Sequence, residues 1–195
     1  MNAFRWEDSL SLNFRFVFSM KILAVFLLIL SIPIVIITCV LIFFPKGKSI
    51  LFKQKRVGIH KKEFVIYKFT TMENDSITKV GKIIRKLGWD EIPQLLNVIK
   101  GDMAFVGPRP LTASDINRLN WNTSNHAKRW SVKPGITGPA QLTNICDAKV
   151  SMSKDLFYIE NKSILLDFKM IIRSLLVPII GKRTTWIYLS TELEI

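Results

Sequence analysis

Two adjacent carboxylates, Asp90 and Glu91, are the side chains of this sequence whose types and spacing are best suited to chemistry. They follow Gly88, a residue typical of a helix end, and stand where the next helix is predicted to begin. The same stretch runs on to a Pro108-Arg109-Pro110 loop. An acidic pair cannot hold an anionic substrate alone, so any such chemistry needs cations from other parts of the chain.

The pair also has a purely structural interpretation. Asp90 suits an N-cap, and Glu91 and Pro93 suit a first turn, where an acidic side chain complements the helix dipole and proline costs least. Four apolar residues then carry the predicted helix to Gly101: Ile92, Leu95, Leu96 and Ile99. Taken from these residues alone, helix capping is the favoured explanation and catalysis is the alternative.

Composition indicates a polyanionic partner and a membrane. The 195 residues include 28 Lys and Arg against 15 Asp and Glu, a net charge of +13, which suits nucleic acid, an anionic membrane surface or a phosphorylated substrate. The hydrophobic fraction of 49% is high for so charged a chain and favours the membrane. The length allows one domain plus a membrane element.

Cysteine and histidine usage argues against a disulfide framework or a zinc site. Cys39 and Cys146 are the only cysteines, and Cys39 lies in an apolar stretch, which fits a reducing cytoplasmic face. His60 and His126 are too far apart in sequence to indicate zinc ligands.

Residues 1–48 are predicted to form a membrane segment. Aromatic and basic side chains in residues 1–21 suit a membrane interface, and residues 22–44 carry no charge. This apolar run is too long for a secretory signal and long enough to cross a hydrocarbon core of about 30 Å. Ser31 and Pro33 are expected to break the helix, and basic residues flank both ends. A spanning helix and a re-entrant hairpin are equal alternatives.

Residues 49–195 are predicted to form one helix-rich α+β domain. Residues 50–54 and 63–69 have the composition of two short strands joined as a β-hairpin. A basic amphipathic helix is expected over 77–87, with an N-cap at Asp75-Ser76, and it either packs on a core or lies on lipid.

The C-terminal half is less strongly patterned. Residues 111–130 are weakly helical, and residues 133–141 form a rigid loop rich in glycine and proline. Residues 163–178 are predicted to form a core or interfacial helix, because charges interrupt the apolar run too often for a membrane span. Trp186 and Tyr188 suit the headgroup zone.

Taken together, several segments resemble the bacterial sugar transferases, the small monotopic phosphoglycosyl transferases. The most specific segment runs from Asp90 to Pro110 and is similar to the family signature Asp-Glu-Leu-Pro-Gln through Val-Gly-Pro-Arg-Pro. The resemblance extends from about residue 20 to residue 180. The supporting segments are Phe52 to Gly58, Tyr67 to Met72, Pro134 to Gly138, Ala140-Gln141 and Tyr158.

The resemblance implies an enzyme that transfers a sugar 1-phosphate from a UDP-sugar to polyprenol (undecaprenyl) phosphate and releases UMP. Such an enzyme initiates the assembly of a bacterial glycan at the cytoplasmic face of the inner membrane. The family has a re-entrant N-terminal helix, so the hairpin is the topology that the resemblance implies. The implied partners are the two substrates and membrane lipids, not nucleic acid.

The resemblance also implies roles for single residues. Asp90 corresponds to the nucleophile that forms an aspartyl phosphosugar, and Glu91 corresponds to a residue that helps to hold Mg²⁺. Carboxylates do form phosphoryl intermediates, and Mg²⁺ prefers oxygen ligands. The residues expected to contact phosphate or nucleotide are Lys68, Arg85, Pro108, Arg109 and Pro110.

The sequence departs from the family pattern at several positions. Ile32 separates Ser31 from Pro33, where the family has an adjacent Ser-Pro, and Thr70 stands where the family has arginine. A catalytically impaired scaffold or binding protein of the same fold, anchored to the membrane, is therefore the alternative function. The intact acidic pair favours the enzyme. A basic nucleic-acid binder is a third hypothesis, but the chain lacks a recognisable nucleic-acid motif.

Overall fold

The computed structural model describes residues 6–44, 49–142 and 147–180, with side chains described from residue 18 to residue 178 within those ranges. The helices are α1 (Trp6–Leu30), α2 (Ile32–Phe43), α3 (Lys79–Lys86), α4 (Leu95–Lys100), α5 (Ala113–Arg118), α6 (Ala148–Glu160) and α7 (Ile164–Ile180). The strands are β1 (Leu51–Val57), β2 (Glu63–Phe69), β3 (Met72–Glu73), β4 (Ser76–Ile77), β5 (Ala104–Val106) and β6 (Gly135–Thr137). Three 3₁₀ segments complete the described fold: Ile59–Lys61, Trp89–Gln94 and Ser124–Ser131. The fold is rich in helix, with small two-stranded sheets, as predicted.

The apolar N-terminal helix is broken at Ser31, as the sequence predicts. Pro33 lies in the first turn of α2 and has no N–H to donate to the preceding turn, while the Ser31 hydroxyl donates to the Leu28 carbonyl at 2.8 Å. The two arms, Phe18–Leu30 and Ile32–Phe43, are bent by 57°. Among the described helices none alone has the length and apolarity of a membrane span, and this bent pair meets both requirements only when its arms are taken together.

The broken helix packs directly on the rest of the fold. Ala24 of α1 is fully buried in a core formed with Ile66 of β2 and with Leu95, Val98 and Met103. The second arm, α2, contacts both the 3₁₀ segment Trp89–Gln94 and α3. The segment that carries Asp90 and Glu91 is therefore held against the apolar hairpin.

The predicted β-hairpin is present, and β1 is longer than expected. β1 and β2 pair antiparallel, with Leu51 opposite Phe69 and Val57 opposite Glu63. Val57 also bridges to Leu111, so pairing extends β1 beyond the residues that composition alone marked as strand. The hairpin is fixed to α4 by Asn97, whose amide donates to the Val65 carbonyl at 2.7 Å and accepts from the Tyr67 N–H at 3.2 Å.

The N-terminus of α3 differs from the prediction. Thr78, not Asp75-Ser76, caps the helix, and its hydroxyl accepts from the Gly81 N–H at 2.8 Å. Asn74 and Asp75 instead form the left-handed turn between β3 and β4, with φ of 45° and 59°, a conformation that Asn and Asp tolerate. The C-terminus is as predicted, because Gly88 follows α3 in the left-handed region, with φ of 72°.

The C-terminal half contains elements that the sequence did not predict. The single helix expected over 111–130 is wrong, because α5 ends at Arg118 and a separate 3₁₀ segment begins at Ser124. The loop over 133–141 contains β6, which pairs parallel with β5. This pairing requires glycine, since a Cβ on Gly135 would collide with the backbone of Gly107.

Two helices form the far side of the fold. The helix α6 was not predicted, whereas α7 matches the helix expected over 163–178. Tyr158 of α6 is fully buried, and its hydroxyl lies 3.1 Å from the Val106 carbonyl and 2.8 Å from the Asp167 carboxylate. The predicted headgroup residues Trp186 and Tyr188 lie outside the described residues.

Candidate active site

Asp90 and Glu91 lie inside the 3₁₀ segment Trp89–Gln94 and not at the N-cap of an α-helix. Gly88 occupies the N-cap position, and no side-chain hydrogen bond caps the segment. The turn is closed by the backbone, where the Glu91 N–H donates to the Gly88 carbonyl at 3.3 Å. The prediction that Asp90 is an N-cap is therefore wrong, whereas Glu91 does lie in the first turn, as expected.

The two carboxylates have different surroundings. Successive side chains of a 3₁₀ helix point about 120° apart, because the helix has three residues per turn. Asp90 is consequently buried, with 9% of its surface exposed, whereas the Glu91 side chain is 38% exposed. The pair thus presents one enclosed and one accessible carboxylate.

Lys68 is the cation in direct contact with the pair. Its Nζ lies 2.7 Å from Glu91 Oε1, in an ion pair that joins β2 to the 3₁₀ segment. The neighbouring Tyr67 is hydrogen-bonded to Asn97 of α4, so the backbone that carries Lys68 is held in register with the acidic segment.

Arg85 supplies a second cation from α3. Its Nε donates to the Thr71 hydroxyl at 2.8 Å, and Thr71 is buried. The Thr78 N–H donates to the Thr71 carbonyl at 3.1 Å, and Gly81 lets α3 approach so closely that a Cβ there would collide with this carbonyl. α3 is therefore fixed against Thr71, with the charge of Arg85 directed toward the acidic pair.

The pKa of Asp90 is raised above its ordinary value of 3.8. Burial is the largest cause, and the neighbouring negative charge of Glu91 adds to it. The charges of Lys68 and Arg85 act in the opposite direction without cancelling the effect. An ionised Asp90 is thus held at a cost in free energy, which makes it a stronger base and a site that gains from a bound cation.

The Pro-Arg-Pro loop presents its arginine to solvent. Pro108 and Pro110 are buried and Arg109 is exposed. Two buried or half-buried guanidinium groups hold the loop backbone: Arg129 Nη2 donates to the Arg109 carbonyl at 2.7 Å, and Arg56 Nη1 donates to the Pro110 carbonyl at 3.1 Å.

The structure brings four of the predicted site residues together and leaves Arg109 apart from them. Asp90, Glu91, Lys68 and Arg85 form one electrostatic cluster. Arg109 instead lies near Arg56, and burial and the positive charge of Arg109 lower the pKa of Arg56. Arg56 is opposite Phe64 in β2, four residues before Lys68, or about 13 Å along the strand. In the described structure no hydrogen bond or ion pair joins Arg109 to the acidic pair.

Comparison with known proteins assigns the family. A family model described as bacterial sugar transferase matches residues 14–181. The chain belongs to this family. A Bacillus subtilis (strain 168) protein named uncharacterized sugar transferase EpsL is 42% identical over 162 residues, which cover 76% of this chain and 79% of that protein. The predicted family and the transferase class are confirmed.

Two relatives with more specific names match this sugar transferase over less than half of their own length. An Aeromonas hydrophila UDP-N-acetylgalactosamine-undecaprenyl-phosphate N-acetylgalactosaminephosphotransferase is 34% identical over 76% of the chain and 40% of its own length. A Klebsiella pneumoniae UDP-glucose:undecaprenyl-phosphate glucose-1-phosphate transferase is 35% identical over 80% of the chain and 38% of its own length. The transferase thus spans about two fifths of each of these relatives.

Sequence reasoning missed the residues that position this site. Asn97 and Gln94 lie inside the signature that begins at Asp90, but a polar residue in an apolar helix gave no indication of its partner. Asn97 is fully buried and joins α4 to β2. Gln94 is 2% exposed, and its Nε2 has no hydrogen-bond partner among the described residues, which is costly for a buried amide.

Proposed function

We propose that this sugar transferase moves a sugar 1-phosphate from a UDP-sugar to polyprenol phosphate, with Asp90 as the nucleophile. The observation that carries the proposal is the state of the acidic pair. Asp90 is buried, is not used in capping and has a raised pKa. The charges of Lys68 and Arg85 act on it, and its segment packs against the apolar hairpin. The printed names of the Aeromonas and Klebsiella relatives support this substrate class.

The reaction divides into two displacements at phosphorus. A carboxylate oxygen of Asp90 attacks the phosphorus that bears the sugar, the bond to the UMP oxygen breaks, and UMP leaves. The product is an aspartyl phosphosugar. An oxygen of polyprenol phosphate then attacks the same phosphorus and releases the Asp90 carboxylate. The covalent step lets two substrates of very different solubility use one site in turn.

The cations of the site offset the charge of the pyrophosphate. Lys68 and Arg85 already act on the acidic pair and are placed to contact phosphate oxygens, while Arg109, presented on its rigid loop, is assigned to the nucleotide part of the donor. Pro108 and Pro110 are assigned the role of holding that loop. The roles of Lys68 and Arg109 rest on their match to family motifs, and that of Arg85 rests on its position five residues before Asp90.

The acidic pair fits a magnesium ion. In the part of the chain that the structure describes, no group of three or more His, Cys, Asp or Glu side chains is arranged to ligate a metal. Mg²⁺ commonly binds through one or two carboxylates together with substrate phosphates, and Glu91, with Asp90 beside it, supplies such a partial ligand set. When bound, the ion would neutralise charge on the pyrophosphate and the leaving group.

The membrane placement belongs to the same proposal. We assign α1 and α2 to a re-entrant hairpin at the cytoplasmic face of the bacterial inner membrane. Most apolar side chains of both arms are exposed, including Phe26 at 59% and Ile36 at 57%. An acceptor that is itself a lipid can then reach Asp90 without leaving the bilayer surface. Labelling of single cysteines at positions 3 and 48, with Cys39 and Cys146 replaced, should place both on the cytoplasmic side.

The activity is tested by UMP release. Purified full-length protein is given polyprenol phosphate, Mg²⁺ and a panel of UDP-sugars, and we expect UMP with at least one of them. Asp90→Asn should lose release and the labelled covalent intermediate, whereas the matched variant Asp75→Asn, in an exposed turn, should keep both. Full activity in Asp90→Asn would exclude the proposed nucleophile.

A further inference from the structure

Three lysines from separate parts of the chain converge at the C-terminal end of α4. Lys21 belongs to α1, Lys133 precedes β6, and Lys162 lies between α6 and α7. The Nζ atoms of Lys133 and Lys21 lie 3.5 and 3.6 Å from the point that a Cβ on Gly101 would occupy. The charge of Lys162 also acts on Lys133, so the three ammonium groups share one region.

These charges are only partly offset within the described structure, because Asp102 acts on Lys133 and Asp167 acts on Lys162. None of the three ammonium groups makes a hydrogen bond or an ion pair with a described residue. Asp102 is the single carboxylate whose charge acts on Lys133, against two lysines of like charge. Burial, with repulsion from Lys21 and Lys162, lowers the pKa of Lys133. An anion that binds near the ammonium groups would reduce the remaining repulsion between them.

Capping of α4 does not account for the cluster. The carbonyl groups at the end of a helix can attract lysines. Here, however, the Gly101 N–H already reaches the Asn97 and Val98 carbonyls at 3.0 Å, and the Asp102 N–H reaches the Asn97 carbonyl at 2.9 Å. The backbone thus satisfies the Asn97 and Val98 carbonyls without help from the lysines.

The cluster lies where two apolar helix faces begin. Lys21 directly precedes Ile22, which is 55% exposed, at the start of the apolar stretch of α1. Lys162 precedes Ile164 and Leu165 of α7, which are 68% and 65% exposed. α7 continues this exposed apolar face through Phe168, while its opposite face is buried. Ammonium groups at the polar ends of two apolar faces match the phosphate layer of a bilayer.

We propose that Lys21, Lys133 and Lys162 form a binding site for the phosphate of an anionic membrane phospholipid. The site rests on the membrane placement in the proposed function, and it is separate from the acidic pair. The pair and the cluster lie at opposite ends of the 3₁₀ segment and α4, roughly 15–20 Å apart by helical rise. The lipid is therefore a fixed neighbour that sets the depth of α1 and α7, not the acceptor.

Lipid retention by the full-length chain tests the site. Protein is reconstituted in vesicles of equal phosphatidylcholine and phosphatidylglycerol, extracted in mild detergent, and its bound lipids are counted by native mass spectrometry. We expect phosphatidylglycerol to be retained preferentially, and not to be displaced by millimolar inorganic phosphate. Since each lysine near an anionic surface contributes roughly fivefold in binding, Lys133→Gln and Lys162→Gln should each reduce that preference severalfold.

A matched variant separates a site from general charge. Three lysines of α3 are exposed: Lys79, Lys82 and Lys86. Changing all three to glutamine should leave the phosphatidylglycerol preference intact. The triple variant Lys21→Gln/Lys133→Gln/Lys162→Gln should lose it. The proposal would be overturned by any of three results. Both triple variants could lose the phosphatidylglycerol preference equally, inorganic phosphate could displace the lipid, or the unaltered chain could show no preference. Because Lys162 is exposed, we expect Lys162→Gln to fold normally, so this variant tests the site even if another variant misfolds. UMP release from the same samples shows separately whether the proposed reaction holds.

Discussion

Lys68 Nζ lies 2.7 Å from Glu91 Oε1, and this contact ties the β-hairpin to the acidic segment. Both side chains are partly exposed, so the pair itself adds little to stability. Its larger consequence is electrostatic, because the charge of Lys68 also lowers the pKa of Asp90 against the effects of burial and of Glu91. One lysine thus positions the accessible carboxylate and favours the ionised form of the buried one.

We predict that Lys68→Met moves the acid limb of the pH–rate profile to higher pH. Asp90 must be ionised to attack, its pKa is already raised, and removing a neighbouring cation raises it further. As the solution is acidified, the activity of Lys68→Met should therefore begin to fall at a higher pH than that of the unaltered protein. At the optimum, kcat/KM should drop by roughly 10²-fold, as for loss of one charge stabiliser. Lys68→Arg, which retains the charge, should keep the limb in place; a limb unchanged in Lys68→Met would contradict the role.

We predict that Asp90→Asn is inactive and yet more stable than the unaltered protein at neutral pH. The pKa of Asp90 in the folded protein lies above its ordinary value of 3.8. Ionisation therefore lowers the free energy of unfolding as pH rises from the ordinary pKa to the folded pKa, and this loss persists at higher pH. Asparagine removes the cost, so Tm should rise at pH 7. The gain should disappear below the ordinary pKa of the carboxyl, where both proteins carry a neutral side chain.

Activity of Asp90→Asn should fall by at least about 10³-fold, as expected for loss of a nucleophile. Thermal unfolding at several pH values measures the stability difference, and UMP release measures activity. A variant that loses both stability and activity would instead indicate that the Asp90 carboxylate is part of the structural framework.

Local patterns predicted the helix break, the β2 strand and the end of α3, because each depends on neighbouring residues. Pro33 removes a backbone donor, β-branched and aromatic residues suit a strand, and Gly88 adopts a positive φ. Asp90, Glu91, Lys68 and Arg85 were chosen by resemblance to the family, and in the structure their charges lie close together.

What the sequence could not show depends on distant contacts. The parallel pairing of β5 with β6 is set by close backbone approach, which a stretch of glycine and proline does not distinguish from a loop. Asp90 is not an N-cap because the 3₁₀ segment begins at Trp89 and Gly88 occupies the N-cap position. Asn97 shows the same limit, since its partners in β2 are 30 and 32 residues away in sequence.

We predict that Asn97→Ala destabilises the fold by about 1–3 kcal/mol, the usual cost of leaving buried polar groups unpaired. The change removes the hydrogen-bond partner of the Val65 carbonyl and of the Tyr67 N–H. Because Tyr67 adjoins Lys68, activity should fall as well. Denaturant unfolding measures the first effect. Asn122→Ala, at an exposed position, is the control and should change stability by less than about 0.5 kcal/mol.

The Pro-Arg-Pro loop rests on a buried ion pair. Arg129 Nε lies 2.9 Å from Asp155 Oδ2, with side-chain exposures of 2% and 0%. The guanidinium also lies against the rings of Trp121 and Trp130, 5.1 and 4.8 Å from their centroids, and its Nη2 holds the Arg109 carbonyl. The position of the Arg109 backbone therefore depends on the buried guanidinium group of Arg129.

We predict that Asp155→Asn destabilises the protein by about 3–5 kcal/mol, because it leaves the Arg129 charge buried without its partner. Arg129→Lys should be milder in stability but should raise KM for the UDP-sugar, since lysine cannot hold both Asp155 and the Arg109 carbonyl in the same geometry. If Arg129 acts through the loop, Arg129→Lys should cost little further activity in an Arg109→Ala background. Additive losses in that double-mutant cycle, measured as kcat/KM, would show that Arg129 affects the reaction by another route.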